Sequence, residues 1–182
     1  MGRYQYDKKT TVEECKSIST TFLKQHDYFC GFRWGGMKWT NSQGEETGSI
    51  SFRVSVQEWM GEISFQCTQT QRHSGEKESL DYPVSLTATP CRYGGKRWWF
   101  ICPLVKNGMA CNRRVLKLYL GGGKYFGCRH CYNLTYESCQ EHDARVDKLC
   151  KNPALIAQLL KSKNPSAALL ACKAGFKLKG YL

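Results

Sequence analysis

The sequence predicts an α+β fold: an N-terminal helix on an antiparallel β-sheet, a four-cysteine module that continues the sheet, and short C-terminal helices. Three observations support this. Apolar residues recur at helical spacing near the N-terminus and at every second position further on. Four cysteines form two pairs around a glycine-rich turn. Two Asn-Pro steps in the C-terminal region are typical of helix starts. We expect boundaries at residues 1–95 for helix plus sheet, 96–133 for the cysteine module and 134–182 for the helical segment.

The first element predicted is a helix over residues 11–25. Apolar positions three and four residues apart define its buried face: Val12, Cys15, Ile18 and Phe22. Thr10 or Thr11 can cap its start, and two glutamates follow in the first turn. This helix should cover one face of the sheet.

Strands follow, because the apolar period changes to two. The clearest alternation has Ile50, Phe52, Val54 and Val56 on one face. Two further runs repeat it, around Phe65 and around Val84. Short polar loops separate the runs, so sequential strands should pair antiparallel. The last strand, over residues 96–102, runs directly into the cysteine module.

The spacing of the cysteines in this module is typical of a metal site. Its members are Cys102, Cys111, Cys128 and Cys131, which read C-x8-C, a 16-residue gap, then C-x2-C. A strand, the Gly121-Gly122-Gly123 turn and a return strand fill the gap and bring the pairs together. Structural Zn²⁺ sites favour four tetrahedral thiolates, so we predict one structural zinc ion here. The alternative, four reduced core cysteines, does not explain why two pairs flank a hairpin.

Other candidate ligands stay open at this point. Cys91 is either a fifth thiolate or a small buried residue at a tight turn. His130, inside the C-x2-C turn, is an alternative ligand that should point away from the metal. Cys139 and His142 are three residues apart on a helix predicted over residues 134–150, where they would need further partners to hold a second ion.

The basic residues are concentrated around the cysteine module. Residues 91–131 contain 9 lysines and arginines and no acid, whereas residues 1–90 contain 10 basic and 11 acidic residues. A one-sided basic surface on a zinc module favours nucleic acid as the partner. The candidate contacts are Lys96, Arg97, Arg113, Arg114, Lys117, Lys124 and Arg129. The alternative is that these cations only solvate the sheet.

The predicted mode of binding is contact with phosphates. Nothing resembles a base-reading helix, so sequence preference should be weak. Strand alternation would place Arg113, Lys117 and Tyr119 on one face. Trp98 or Tyr125 could stack on bases if exposed. A second hypothesis is a protein-interaction adaptor or inhibitor acting on a larger complex, since 5 tryptophans and 10 tyrosines can supply aromatic anchors.

The sequence argues against three classes of protein: enzymes, membrane proteins and secreted proteins. No nucleophile elbow, phosphate loop or H-E-x-x-H helix is present, and the acids are scattered, so we expect no enzyme and no small-molecule cofactor. The sequence has no run of 18 apolar residues, so we predict no membrane-spanning helix. The first nine residues lack a secretory signal, so we expect a cytoplasmic protein whose 11 cysteines are reduced.

A repeat of twelve residues predicts the C-terminal helices. Lys151-Asn152-Pro153 recurs as Lys163-Asn164-Pro165, each followed by an apolar helical run. Asn at the N-cap and Pro at the first helical position are typical of helix starts. Two short helices should therefore follow one another.

The central motifs also resemble a family. They read TPCRYGG at 89–95, RWWFICP at 97–103, KLYL at 117–120, YFGCRHC at 125–131 and LTYES at 134–138. Together they resemble a widespread family of uncharacterised bacterial proteins with a four-cysteine zinc ribbon. Asn112 stands where that family often has glycine, and Cys139 interrupts its Ser-Gln-Glu segment. The resemblance implies a helix, a tryptophan-bearing sheet and a ribbon, and it implies no activity.

Overall fold

The computed structural model describes residues 8–70 and 77–179. Its α+β composition, antiparallel sheet and short C-terminal helices confirm the predicted class. The described residues fall into two compact units, one ending at Tyr136 and the other beginning at Glu137. Within the described ranges, no helix has the length and hydrophobicity needed to cross a membrane.

The first unit contains the strands and one helix. In chain order these are β1 (Lys16–Ser19), α1 (Thr20–Gln25), β2 (Phe32–Thr40), β3 (Glu46–Val56), β4 (Met60–Thr70), β5 (Lys77–Pro90), β6 (Lys96–Ile101), β7 (Val105–Lys106), β8 (Met109–Ala110), β9 (Arg114–Val115) and β10 (Lys117–Leu120). The second unit contains α2 (Glu137–Glu141), α3 (Ala144–Cys150), α4 (Pro153–Leu160) and α5 (Pro165–Leu178).

A curled six-stranded antiparallel sheet dominates the first unit. Its strand order is β2-β3-β4-β5-β6-β9. The register pairs Phe52 with Phe65, so apolar positions of successive strands share one face. Phe52, Phe65 and Phe100 on that face are fully buried. The period-two pattern therefore predicted the inner face of the sheet correctly.

The predicted helix over residues 11–25 is wrong before Thr20. Lys16–Ser19 forms β1, which pairs antiparallel with β10, and α1 begins only at Thr20. The side chain of Ser19 caps α1 by accepting a hydrogen bond from the Phe22 backbone N–H at 3.1 Å. The edge of β10 offers β1 a ladder and buries Ile18, and this tertiary gain overrides a weak local helical pattern.

The strand predicted ahead of the glycine turn is divided in two. β9 joins the edge of the six-stranded sheet, whereas β10 pairs with β1 in a second, two-stranded sheet. The break lies at Leu116, whose carbonyl accepts a hydrogen bond from the Thr20 backbone N–H at 2.9 Å. The alternation that would align Arg113 with Lys117 is therefore interrupted. Ile18 and Leu118 of the small sheet pack into the main core.

The second unit has its own core around α3, α4 and α5. Val146, Leu149, Ile156, Ala171 and Ala174 are buried there. Both Asn-Pro steps begin helices, as predicted. The Asn164 side chain accepts a hydrogen bond from the Ser166 backbone N–H at 3.0 Å, whereas Asn152 makes no side-chain capping bond.

Candidate metal centre

The first cysteine pair is brought together by a short hairpin. β6 ends at Ile101, immediately before Cys102, and the chain returns through β7 and β8. Asn107 and Gly108 form the turn with φ of 52° and 77°, the positive values that two-residue hairpin turns require. The Cys111 backbone N–H then donates to the Leu104 carbonyl at 2.9 Å. The long C-x8-C spacing is thus closed by local backbone pairing.

The second pair lies on a tight turn that is anchored to β10. Gly127 exchanges two backbone hydrogen bonds with Tyr119, at 2.8 and 2.9 Å. Within the turn, the Cys131 backbone N–H donates to the Cys128 carbonyl at 3.1 Å. A side chain at position 127 would collide with Leu104, so this glycine lets the second turn approach the first.

The four sulfurs converge on one point. All four lie within 4.8 Å of one another, with Cys102 Sγ 3.8 Å from Cys131 Sγ. Cys111 Sγ is 3.7 Å from Cys128 Sγ. Disulfides need about 2.05 Å, so these thiols are not bonded in pairs. A regular tetrahedron with metal–sulfur bonds of about 2.3 Å has edges of about 3.8 Å, which matches a four-thiolate metal site.

The surroundings of the sulfurs favour metal-bound thiolates. The Cys128 backbone N–H donates to Cys102 Sγ at 3.2 Å, and the Cys131 backbone N–H donates to Cys128 Sγ at 3.4 Å. Such donors stabilise negative charge on sulfur. Burial raises the pKa of the Cys102 thiol to about 11 and also raises the pKa of Cys131. Despite partial burial, hydrogen bonds lower the pKa of the Cys111 thiol, so it is the two thiols with raised pKa, Cys102 and Cys131, that would need a cation nearby to ionise.

The glycine turn packs closely against an aromatic ring beside the four cysteines. A Cβ on Gly121 would lie 2.7 Å from Tyr132 Cγ, and one on Gly123 would lie 2.6 Å from the Tyr132 hydroxyl oxygen. That hydroxyl donates to the Tyr125 carbonyl. Since Tyr132 directly follows Cys131, the glycines matter for close packing against the second turn and not only for conformational freedom.

The other candidate ligands do not join a cluster. In residues 8–70 and 77–179, the four cysteines are the only group of three or more side chains placed to share a metal. Cys91 lies in a separate turn, where its backbone N–H donates to the Gly95 carbonyl at 3.1 Å. His142 Nε2 lies 2.6 Å from Asp147 Oδ2, and Cys139 is exposed.

A basic cleft with a volume of about 670 Å³ lies beside the candidate metal site. It contains three of the seven cations predicted to contact nucleic acid: Arg114, Lys117 and Arg129. Its aromatic members are Trp99, Tyr119 and Tyr136, and His130 and Glu13 also line it. We call this surface the basic cleft.

The four remaining candidate cations lie outside the basic cleft. Lys124 Nζ pairs with Glu78 Oε2 at 2.6 Å. Lys96 Nζ donates to the Glu58 carbonyl at 2.7 Å and lies 4.4 Å from the Trp59 ring centroid. The Arg97 guanidinium lies 5.8 Å from the Trp99 ring centroid, and Arg113 is exposed without lining the cleft.

The aromatic residues differ from those first considered for stacking. Trp98 is only 8% exposed and belongs to the core. Tyr125 is 43% exposed but does not line the basic cleft, whereas Tyr136 in the cleft is 41% exposed. The Arg129 guanidinium lies 5.0 Å from the Tyr136 ring centroid. Sequence reasoning placed Tyr119 beside Lys117 but missed Trp99 and Tyr136, although the position of Tyr136 soon after the C-x2-C turn was an available signal.

No protein-family model, curated protein or solved structure matches this chain. Its function is therefore inferred from its own residues.

Proposed function

We propose that Cys102, Cys111, Cys128 and Cys131 bind one Zn²⁺ ion, and that the two cysteine turns with β6 and β9 form a zinc ribbon that prolongs the sheet. The separations of 3.7 and 3.8 Å between sulfurs support zinc, which prefers four tetrahedral thiolates in structural sites. Four protein ligands leave no position for water, so the ion supplies folding energy, on the order of 10 kcal/mol.

On this scaffold, the chain binds nucleic acid through the basic cleft, mainly by contacts to phosphate. The observation that carries this proposal is the convergence of Arg114, Lys117 and Arg129 in one concavity. The salt bridges found among the described residues use none of these three cations. They can therefore bind phosphates without first breaking an ion pair.

The test compares two triple variants with equal loss of charge. Arg114, Lys117 and Arg129 are changed to Ala in one, and Arg97, Arg113 and Lys124 in the control. At about 50 mM salt, the cleft variant should bind an oligonucleotide at least tenfold more weakly than the control. Its plot of log affinity against log salt should be shallower than the wild-type plot by about 2 to 3.

Two results would contradict the proposal. One is equal affinity of the two triple variants when circular dichroism and zinc content show both to be folded. The other is wild-type binding that does not respond to salt, because phosphate contacts release counterions and must weaken as salt rises.

An exposed aromatic pair supports a second candidate function, the binding of a protein partner. Phe32 and Trp34 are 61% and 69% exposed on β2, which is an edge strand of the large sheet. Their ring centroids are 6.1 Å apart at 79°. An edge strand can accept a strand from another protein, and aromatic side chains can anchor it.

One comparison, of oligonucleotide binding with retention of a protein partner, distinguishes the two candidate functions. If the chain binds no oligonucleotide at about 50 mM salt but retains a stoichiometric protein partner from its host, and Trp34→Ser loses that partner, then the adaptor function holds and the nucleic-acid function fails.

A further inference from the structure

The basic cleft combines two kinds of group that recognise different parts of a nucleotide. Arg114, Lys117 and Arg129 suit phosphates. Trp99 and Tyr136 add aromatic rings, on which any base can stack. Tyr136 also lies against the Arg129 guanidinium, and its exposed ring surface remains open to a base. The presence of these rings points to the base as a second contact.

The shape of the basic cleft suits a flexible strand better than a duplex. Its volume of about 670 Å³ lies within the range of pockets that enclose small organic ligands, about 300–1,000 Å³. Bases of a duplex are stacked inside the helix and are reached by inserting a protein element into a groove. Among the residues that the structure describes, no helix contributes to the lining: Val115 and Tyr119 lie on strands, and the others lie on strands or in loops.

Several groups of the basic cleft are already held in place. The Trp99 indole N–H donates to Thr89 Oγ1 at 2.9 Å, which fixes its ring. Arg129 and His130 are the two residues between the ligands Cys128 and Cys131. The Arg129 guanidinium already lies against Tyr136. Binding to groups held in this way costs little side-chain entropy.

We propose that the basic cleft takes an unpaired nucleobase together with its flanking phosphates, so that the chain prefers single-stranded nucleic acid to duplex. The base stacks on the exposed Tyr136 side chain, while the three cations contact the phosphates on either side. This inference rests on the proposed function, because it names the class of nucleic acid that the same cleft binds.

The experiment uses the zinc-loaded chain of 182 residues and three probes. Fluorescence anisotropy compares a labelled single strand of about 12 nucleotides with its duplex, and linear polyphosphate serves as a competitor that has charge but no bases. We expect the single strand to bind about tenfold more tightly than the duplex, and polyphosphate to compete weakly. Tyr136→Ala should weaken single-strand binding by roughly tenfold and leave duplex and polyphosphate binding unchanged.

Two further variants give the experiment its controls. Tyr93 is 94% exposed outside the basic cleft, so Tyr93→Ala should bind every probe like wild type. Tyr136→Phe retains the ring and should retain the preference for the single strand. Loss of that preference in Tyr136→Phe would assign the effect to the hydroxyl and overturn stacking.

The remaining outcomes distinguish a failure of base recognition from a failure of the proposed nucleic-acid binding. Equal affinity for single strand, duplex and polyphosphate, with Tyr136→Ala silent, would overturn base recognition and leave phosphate binding intact. Equal losses for all three probes in Tyr136→Ala would assign Tyr136 a structural role and overturn the inference. Failure of all three probes to bind the wild-type chain would overturn the proposed function itself.

Discussion

Four individual thiols form the candidate metal site, and their positions could be predicted from the spacing of the cysteines in the sequence. The two pairs predicted from sequence are the four residues that meet in space. The cations were harder to predict, because each one's partner depends on the fold. Lys124 meets Glu78, 46 residues away, whereas Arg129 remains in the basic cleft. A charge count locates a basic region but cannot say which cations are available.

Replacing one ligand should remove both metal and stability. Cys128→Ser leaves three thiolates around the site, so we expect loss of stoichiometric zinc and a fall of about 3 kcal/mol or more in the free energy of unfolding. Metal analysis and urea denaturation under reducing conditions measure the two effects. Cys30→Ser is the control, since Cys30 is exposed in the same unit. A folded Cys128→Ser protein with a full complement of zinc would disprove the site.

The packing of Gly121 on Tyr132 can be tested by a double-mutant cycle. Gly121→Ala places a methyl group 2.7 Å from Tyr132 Cγ and should cost about 1–3 kcal/mol in the free energy of unfolding. In a Tyr132→Ala background the ring is gone, and the same change should cost nearly nothing. Equal costs in both backgrounds would show that Tyr132 is not the reason for the glycine.

At the scale of elements, local pattern and tertiary pairing compete. Alternation in β3, β4 and β5 predicted their shared buried face, because each strand presents the same period to one core. The same reasoning gave the wrong element for the residues before Thr20, where a helix was predicted and β1 is found. Its apolar spacing also fits a helix, and only the free edge of β10, contributed by residues 117–120, selects a strand. The same competition separates β9 from β10 into two sheets, and nothing in the local sequence predicts that break.

The importance of β1 can be measured by removing its core side chain. Ile18 is 1% exposed within the main core, so Ile18→Ala should reduce the free energy of unfolding by about 2–5 kcal/mol. Lys24→Ala, at an exposed position of α1, should change it by less than about 0.5 kcal/mol. Similar values for the two variants, measured by urea denaturation, would mean that β1 does not contribute to the core.

At the scale of the whole molecule, the candidate metal site and the basic cleft share segments of chain. Arg129 and His130 lie between Cys128 and Cys131, and the carbonyl of Arg113, next to Arg114, accepts a hydrogen bond from the Cys102 backbone N–H at 3.0 Å. Loss of the metal should therefore disperse the cations of the basic cleft. The helices of the second unit have a separate core and should keep their circular dichroism signal when zinc is removed.

The most direct test follows metal and nucleic acid together in one titration. Zinc is added to the reduced, metal-free chain in the presence of a labelled single strand at about 50 mM salt. We predict little binding before addition and a rise in anisotropy that saturates at one equivalent of zinc, with Cys128→Ser unresponsive. Full-affinity binding by the metal-free chain, or stoichiometric zinc uptake without any binding of the strand, would contradict the account.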